Sequence, residues 1–480
     1  MAARITVHGH FYQPPRENPW TGVIDVQPGA APFRDWNERV NAEAYRPNTK
    51  VALADDTVVN NFEKLSFNVG PTLLEWMEEA DRETYDAIIG ADHGNALAQA
   101  YHHTILPLSP VRDIRTQVRW GLRDFTHRFG RRSEGIWLPE TAADERTIDV
   151  LIEEGVGFTI LAPGQARSWR LPDGEWVDVG DEPLDTTLPH RVAHSDGSGR
   201  YLTVFFYDGA ISHAIAFDGA AASAEGLMDL FEERGGSGCH LVHAATDGET
   251  YGHHHKFGDI GLAYALFVEA PRRGIDVVSY SEFLEECPAE RWARLPAAGT
   301  SWSCVHGVGR WREDCGCFTG GEAGWNQKWR GPLRRALDVV RQATDEAYER
   351  LGREVFEHPW RTRHRYVDVV CGARSLEEFV AAEAASPGVP VRRAEALLEL
   401  QRSALSMFTS CGWFFNDLAG IETIQVLLYA GRTLDLLEQV GEGIGVEERF
   451  LSILAEAQSN DPDAGSGVEI YKKAVAEARP

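Results

Sequence analysis

The chain has 480 residues, which is enough for a large catalytic domain and a second domain. Its 47 basic and 73 acidic residues give a net charge of −26, which argues against a nucleic-acid partner because nucleic acids are bound through cation–phosphate contacts. The sequence has no uninterrupted apolar run of about 18 residues and no apolar signal-peptide core, so it predicts a cytoplasmic protein with no membrane span or membrane partner. In that compartment its 7 cysteines are expected to be reduced thiols.

Short β-rich runs recur through the N-terminal part of the chain, and several are continuous apolar stretches of the kind found in strands buried on both faces. The predicted strands are Arg4–His8, Leu65–Val69, Ala87–Ala91, Glu134–Leu138, Phe158–Ala162, Thr203–Tyr207, His240–Thr246 and Asp276–Tyr280. Helical patterns such as Gly70–Ala80 and Val111–Phe129 lie between many of them. This alternation predicts a parallel sheet, and about seven or eight such units indicate a closed barrel.

Two other parts of the chain have a different character. The stretch Arg167–Arg200 is rich in Pro, Gly and Asp and predicts a loop or hairpin insertion. From about residue 330 onward, apolar residues recur at helical spacing among good helix formers, which predicts an all-helical region. The predicted helices are Pro332–Leu351, Ser375–Ala385, Arg392–Met407, Ile421–Val440 and Val446–Ala457.

Polar clusters follow four of the predicted strands at the point where each strand ends. They contain His8, His10 and Gln13; Asp92, His93, Asn95, Gln99, His102 and His103; Glu140; and Asp247, Glu249 and His253–His255. Taken singly, each could be a hydrogen-bonded loop histidine, an Asp-Gly turn or a carboxylate at a helix N-terminus. Because the C-terminal ends of barrel strands share one face, and this face carries the chemistry in such barrels, we expect the clusters to form one site.

The segments HGHFYQP, YHHTILPL, IWLPE and TDGETYG, in this order, resemble the conserved regions of glycoside hydrolase family 57. Members of that family carry their nucleophile in a Trp-x-x-Glu segment and their acid/base in a later Asp-Gly-Glu segment. The segments WNQKWR, SCGWFFNDLAGIE and HGNALAQAYHH are similar to a subgroup with a C-terminal domain of unassigned function. Together with the strand count, the resemblance implies a distorted (β/α)7-type parallel barrel in residues 1–295. An all-helical domain in residues 296–480 is expected to follow it and to complete the active site.

By this resemblance, Glu140 is the nucleophile and Asp247 the general acid/base of a retaining glycoside hydrolase or transglycosylase. The implied substrate is an oligo- or polysaccharide of α-linked glucose, and the implied type is an amylase, a 4-α-glucanotransferase or a branching enzyme. Such a mechanism needs one ionised and one protonated carboxyl group about 5–5.5 Å apart. Glu249 and ionised Glu140 are expected to raise the pKa of Asp247. No cofactor and no metal at the site are predicted. The predicted substrate-binding residues are His8, His10, Gln13, His93, Trp137, Glu249, His253, Trp325, Trp329 and Trp413.

Three alternatives remain open at this stage. Histidines and Asp92 could hold a metal, as in barrels that remove acetyl groups or cleave mannosides, or the protein could bind glucan without catalysis. The dense group Trp292, Trp302, Trp311, Trp325 and Trp329 could stack on sugar or only pack between domains. Separately, Cys304, His306, Cys315 and Cys317 could hold a structural metal or be buried thiols. The sequence does not distinguish hydrolysis from transfer, and it does not define the linkage or chain length of the substrate.

Overall fold

The computed structural model describes residues 3–236 and 238–480, which form two compact units. The first unit comprises Met1–Gln13, Val26–Ala100 and Arg128–Trp302. The second comprises Pro14–Asp25, Tyr101–His127 and Ser303–Pro480. Within the described residues, no helix is long and apolar enough to cross a membrane.

The strands all belong to the first unit. In chain order they are β1 Arg4–Phe11, β2 Val51–Ala52, β3 Val58–Val59, β4 Ser66–Val69, β5 Ala98–Gln99, β6 Gly135–Trp137, β7 Phe158–Leu161, β8 Ser168–Arg170, β9 Val177–Asp178, β10 His190–Ala193, β11 Tyr201–Phe206, β12 Leu241–Asp247, β13 Asp276–Val277 and β14 Arg291–Arg294.

Seven of these strands run parallel in the spatial order β12-β1-β4-β5-β6-β7-β11. A parallel bridge from Phe67 to Ala96 joins β4 to the approach of β5, where the Leu97 N–H donates to Phe67 O over 2.7 Å. The first and last strands of this row are also joined, because the Asp208 N–H after β11 donates to His243 O of β12 over 2.8 Å. The strands therefore form the distorted (β/α)7-type barrel that the sequence predicts.

The Pro- and Gly-rich insertion lies on the edge of this barrel. Strands β8, β9, β10 and β14 form an extension in which β10 is antiparallel to β11 and β8 is antiparallel to both β9 and β14. The prediction of a hairpin insertion over Arg167–Arg200 is confirmed, since β8, β9 and β10 all lie within it.

The helices alternate with the barrel strands and then follow one another without strands. They are α1 Trp36–Val40, α2 Arg46–Thr49, α3 Pro71–Ala80, α4 Arg82–Gly90, α5 Val111–Phe129, α6 Glu145–Glu153, α7 Gly209–Phe217, α8 Ala224–Glu232, α9 Gly258–Tyr264, α10 Ala270–Arg273, α11 Tyr280–Glu286, α12 Arg330–Val355, α13 Pro359–Arg365, α14 Val367–Val370, α15 Leu376–Glu383, α16 Val391–Ser406, α17 Cys411–Phe414, α18 Ile421–Gln439, α19 Val446–Leu454 and α20 Gly467–Ala478. The all-helical C-terminal region is confirmed.

Helix α12 shows why the second unit folds as helices. Its buried side chains include Leu333, Leu337, Val340 and Tyr348, which recur at intervals of three, four or eight residues and form one face. That face contributes to an apolar core shared with α5, α15 and α16, in which Trp120, Phe379 and Leu398 are fully buried.

Two expectations about the first unit are wrong. The predicted strand Ala87–Ala91 lies in the last turns of α4, which begins after the Asp81 carboxylate accepts a hydrogen bond from the Thr84 N–H. A short apolar run has no distinct period, so it fits a helix as well as a strand. Cys239 and Cys287 form a disulfide with a Cα–Cα distance of 5.4 Å, so these two cysteines are not reduced thiols.

Candidate active site

The polar groups after β1 and β12 are adjacent because these strands pair in parallel, with His10 opposite Asp247. On the other edge of β1, Asn68 of β4 lies opposite His10. Glu140 follows β6 in the short 3-10 turn Pro139–Thr141, and Glu249 lies in the turn directly after β12. The four strand ends thus deliver their side chains to one face, as parallel barrel strands do.

Glu140 is held in an unusual backbone conformation. Its φ is 56° and that of Thr141 is 49°, so two consecutive non-glycine residues occupy the left-handed region. The carboxylate is nearly buried, with 8% of the residue exposed, and it accepts a hydrogen bond from the Trp302 indole N–H over 3.0 Å. The Trp302 backbone N–H also donates to Glu140 O over 3.1 Å. Trp302 therefore fixes both the backbone and the carboxylate of Glu140.

Gln165 supports the same turn from the end of β7. Its side-chain oxygen accepts from the Thr141 hydroxyl, and its side-chain N–H donates to Thr141 O, each over 2.7 Å. The same amide also reaches the Thr300 hydroxyl over 3.1 Å. Because strained backbone persists only where its surroundings hold it, these bonds account for the conformation of the turn.

Asp247 as a residue is exposed to solvent, yet protein atoms closely surround its carboxyl group. Burial by these atoms raises its pKa well above the ordinary value, and the charges of Glu249 and then Glu140 raise it further. Asp247 is therefore protonated at a pH at which an ordinary aspartate is ionised. A carboxyl group in this state can donate a proton to a leaving oxygen.

Glu249 is the charged group with the largest effect on the pKa of Asp247, and burial and hydrogen bonds act in opposite directions on the pKa of Glu249 itself. Burial raises the pKa of Glu249 to about 7, against the lowering effect of hydrogen bonds from Tyr45 and Tyr12. The Tyr45 hydroxyl donates to Glu249 Oε1 over 2.5 Å and the Tyr12 N–H over 3.0 Å. The Gln13 side chain donates in turn to the Tyr45 hydroxyl over 3.1 Å. Gln13 thus contributes to the site through Tyr45.

His8 and His10 are buried beside the aromatic ring of Trp137. Both imidazoles stack on it, with centroid distances of 4.7 and 5.1 Å, and burial lowers both pKa values to about 3, so both rings are neutral. His8 uses both ring nitrogens, contacting Ser66 Oγ and Asn68 Oδ1 over 3.1 Å each. His10 Nδ1 lies 2.9 Å from the side-chain nitrogen of Asn68 and 3.3 Å from its side-chain oxygen, so Asn68 contacts both histidines.

With this geometry established, comparison with known proteins identifies the family. Residues 8–296, more than half of the chain, match the family model of glycosyl hydrolase family 57. This chain belongs to glycosyl hydrolase family 57. Residues 325–479 match DUF3536, a domain of unknown function. A comparison with curated proteins finds no match. The predicted resemblance is confirmed, and the chain is a glycoside hydrolase family member with an added helical domain.

Solved structures of similar fold include three enzymes. An exo-type maltose-forming amylase from Pyrococcus sp. ST04 is 16% identical with a TM-score of 0.71, over 100% of this chain and 88% of that one. A 4-α-glucanotransferase from Thermococcus litoralis is 15% identical with a TM-score of 0.56, over 91% and 60%. A GH57 branching enzyme from Thermococcus kodakaraensis is 17% identical with a TM-score of 0.56, over 98% and 96%. At these identities the likeness establishes the family 57 fold.

Two of the predicted site histidines have other partners in the first unit. His93 is exposed, and its Nε2 lies 2.9 Å from Glu63 O. His253 Nδ1 lies 2.5 Å from Glu43 Oε2. Asp92, a ligand candidate of the metal alternative, receives two hydrogen bonds from Arg131 over 2.7 and 2.6 Å. These groups therefore have separate partners, and the roles of His93 and His253 in substrate binding stay predictions.

The three predicted tryptophans of the helical region all lie in the second unit. Trp325 is half-buried, whereas Trp329 and Trp413 are 1% and 0% exposed. The Trp413 indole N–H donates to Arg330 O over 3.2 Å, and its ring stacks on Phe408 with centroids 6.4 Å apart. The Trp329 indole N–H donates to Asn416 O over 3.4 Å. Their proposed contact with sugar stays a prediction.

The sequence reasoning missed Tyr45, Asn68, Gln165 and Tyr207 of the site, and it missed the contact of Trp302 with Glu140. Gln165 and Tyr207 follow the ends of β7 and β11, so the rule that singled out Glu140 could have found them. The charge of Asp247 contributes, after burial, to a raised pKa of Tyr207. Trp302 was noted only as one of several tryptophans, and no local pattern relates it to a carboxylate 162 residues earlier.

Proposed function

We propose that this family 57 chain cleaves or transfers α-linked glucose units by double displacement, with Glu140 as nucleophile and Asp247 as general acid/base. The observation that carries the proposal is the raised pKa of Asp247, to which the charge of Glu140 contributes. Asp247 is driven towards its protonated form, by burial first and by the charges of Glu249 and Glu140 next. The Glu140 carboxylate accepts a hydrogen bond from the Trp302 indole N–H and lies in a strained turn. A retaining glycosidase needs this division of roles.

The proposed reaction uses the two groups in sequence. Glu140 attacks the anomeric carbon while Asp247 donates its proton to the leaving glycosidic oxygen, which gives a glycosyl-enzyme and a shortened chain. Asp247, now ionised, then takes a proton from the acceptor as that acceptor attacks the glycosyl-enzyme. Water as acceptor gives hydrolysis, and a sugar hydroxyl gives transfer.

Azide rescue tests the two assignments separately. An α-glucosyl fluoride substrate, which needs no protonation of its leaving group, is offered to Glu140→Ala and Asp247→Ala in the presence of azide. Azide should replace the missing nucleophile of Glu140→Ala and yield a β-glucosyl azide. In Asp247→Ala the glycosyl-enzyme still forms at Glu140, so azide should attack it and yield the α-glucosyl azide. NMR of the products reads the configuration directly.

Glu145→Ala is a matched control, because Glu145 is an exposed carboxylate in the first turn of α6, close in sequence to Glu140. It should retain activity on the natural substrate and form no azide product beyond the wild-type level. A β-product from Asp247→Ala, or normal turnover by Glu140→Ala without azide, would show that the roles are assigned wrongly.

The substrate class is proposed from the activities of solved structures with a similar fold. The similar structures named above are described as a maltose-forming amylase, a 4-α-glucanotransferase and a branching enzyme. Product analysis with maltooligosaccharides, amylose and glycogen distinguishes the three activities by release of short sugars, by redistribution of chain lengths or by new branch points. Failure on all three, with turnover of another glycoside, would overturn the α-glucan proposal. The cytoplasmic location stays a prediction, which cell fractionation can test.

A further inference from the structure

Four sulfur and nitrogen side chains of the second unit meet outside the site described above. They are Cys304, His306, Cys315 and Cys317, whose ligand atoms all lie within 4.8 Å of one another. The spacing Cys-x-His-x8-Cys-x-Cys places two pairs on two short turns of a Gly-rich segment. Among the residues that the structure describes, this is the one group of three or more His, Cys, Asp or Glu side chains close enough to share an ion.

The distances within the group match the edges of a metal tetrahedron. Zn–S bonds of about 2.3 Å and Zn–N bonds of about 2.05 Å at tetrahedral angles place two sulfurs about 3.8 Å apart and a sulfur and a nitrogen about 3.5 Å apart. The Cys304 sulfur lies 4.0 Å from that of Cys315 and 3.8 Å from that of Cys317. The Cys317 sulfur lies 3.5 Å from His306 Nδ1. A disulfide would need one pair of sulfurs about 2.05 Å apart, and neither measured pair approaches that.

Backbone N–H groups around the cysteine sulfurs point towards them as hydrogen-bond donors. The Cys317 N–H points at the Cys315 sulfur over 3.4 Å, and the turn between them depends on Gly316 at a φ of 77°. Backbone N–H groups of His306 and Arg310 point at the Cys304 sulfur. A Cβ at Gly309 would lie 3.1 Å from the Cβ of Cys315, so glycine there allows the two turns to approach. Donors of this kind stabilise thiolate ligands and orient them.

A buried arginine supplies the charge that such a centre needs. Arg330 is fully buried at the start of α12, donates to Cys317 O over 2.9 Å and lies 3.9 Å from the Cys315 sulfur. Its strongest ionisable neighbours are a second arginine, Arg310, and the three cysteines. Three thiolates, one neutral imidazole and a divalent ion carry a net charge of −1 together. That charge would offset part of the positive charge of Arg330 and of its buried neighbour Arg310, whereas three neutral thiols would offset none of it.

We propose that Cys304, His306, Cys315 and Cys317 bind one Zn²⁺ in a closed tetrahedral site with a structural role. Three cysteines and one histidine form a ligand set typical of structural zinc, and four protein ligands leave no position for substrate. On binding, each thiol gives up its proton to solvent and the sulfur lone pair forms the bond to zinc, with no change in oxidation state. The ion would tie a segment with many glycines and few buried apolar side chains to the start of α12.

The first test is the metal content of the full chain purified without chelator from zinc-supplemented cells. We expect about one zinc per chain in the wild type, and less than about one-tenth of that in Cys315→Ser and Cys317→Ser, because each removes a ligand. Cys371→Ser is the matched control, since Cys371 is a free, half-buried cysteine of the same unit outside the group, and it should retain the full zinc content.

A second measurement keeps the proposal testable if the serine variants do not fold. X-ray absorption of the zinc-loaded wild type should give three sulfur neighbours at about 2.3 Å and one nitrogen at about 2.0–2.1 Å. Cobalt substitution should give thiolate charge-transfer bands and intense tetrahedral visible bands. A wild-type chain without zinc, a first shell of oxygen and nitrogen only, or a disulfide among the three cysteines found by mass spectrometry would each overturn the proposal.

Discussion

At the residue scale, the active site depends on a backbone that is costly to maintain. Non-glycine residues in the left-handed region cost roughly 1–3 kcal/mol each, and Glu140 and Thr141 are consecutive examples. The cost is offset by the hydrogen bonds of Gln165 and Trp302. The strained turn and its hydrogen bonds therefore fix the position of the Glu140 carboxylate.

Gln165→Ala should separate this positioning role from binding. Loss of both hydrogen bonds to Thr141 lets the turn relax, and a displacement of about 1 Å in reacting groups can cost up to roughly 100-fold in rate. We expect kcat to fall about 10- to 100-fold with KM nearly unchanged, because Gln165 holds the turn from behind. Gln342→Ala, an exposed glutamine substitution on α12, should leave kcat unaltered. An equal rise in KM would indicate that Gln165 contacts substrate instead.

The raised pKa of Asp247 also predicts a pH-dependent gain in stability when its charge is removed. The folded chain binds this proton more tightly than the unfolded chain, so ionisation of Asp247 destabilises the fold as pH rises above the unfolded pKa of about 3.9. Asp247→Asn removes that cost. Its melting temperature should equal that of the wild type near pH 3.5 and exceed it by about 2 °C or more at pH 7.

Calorimetry across this pH range measures the difference. Asp218→Asn, at an exposed aspartate that ends α7, is the reference for removal of one surface carboxylate, and the difference for Asp247→Asn at pH 7 should exceed it. A constant difference for Asp247→Asn at all pH values would contradict the electrostatic origin.

At the element scale, the segment between β14 and α12 and the short helix α17 carry the three tryptophans of the second unit that the sequence predicts to bind sugar. Burial divides them into two classes, since Trp329 and Trp413 are fully enclosed and Trp325 is half-buried. A fully buried tryptophan contributes several kcal/mol through packing alone, while a partly exposed one has a face available for a sugar ring.

Substitution by alanine distinguishes packing from sugar binding at these three positions. Trp325→Ala should weaken binding of a maltooligosaccharide about 10-fold with little change in melting temperature, as loss of a stacking platform does. Trp329→Ala and Trp413→Ala should each cost about 3–5 kcal/mol of unfolding free energy. Calorimetry of binding and of unfolding, performed on the same samples, reads both effects. Weakened binding by fully folded Trp329→Ala or Trp413→Ala would extend the sugar-binding role to them.

At the scale of the whole molecule, the helical unit is built from separate parts of the chain. The segment Tyr101–His127 lies between β5 and β6 in sequence but belongs to the second unit. There Arg363 forms a buried ion pair with Asp113 over 2.8 Å, and the Trp120 indole N–H donates to Arg363 O over 3.0 Å. A single cut in the chain cannot therefore release two complete units.

This connectivity predicts the behaviour of fragments. A fragment of residues 1–302 retains α5 but lacks the helices that cover its apolar face, so it should aggregate or bind a hydrophobic dye strongly. Co-expression with residues 303–480 should restore a dye-negative complex, which chromatography can isolate. In the 1–302 fragment, Trp120→Gln should reduce dye binding, since Trp120 belongs to the core that α12 and α16 complete. A stable, dye-negative 1–302 fragment would contradict the prediction.

The sequence by itself determined the features that depend on neighbours along the chain. Continuous apolar runs predicted the parallel strands, and apolar residues at helical spacing predicted the C-terminal helices. The rule for barrel strand ends brought Glu140, Asp247 and Glu249 together. Tertiary structure decided what depends on distant partners. Trp302 reaches Glu140, 162 residues earlier, only through the fold. Hydrogen bonds, ion pairs and ligand groups join residues that have no fixed separation along the chain, so local periodicity carries no record of them.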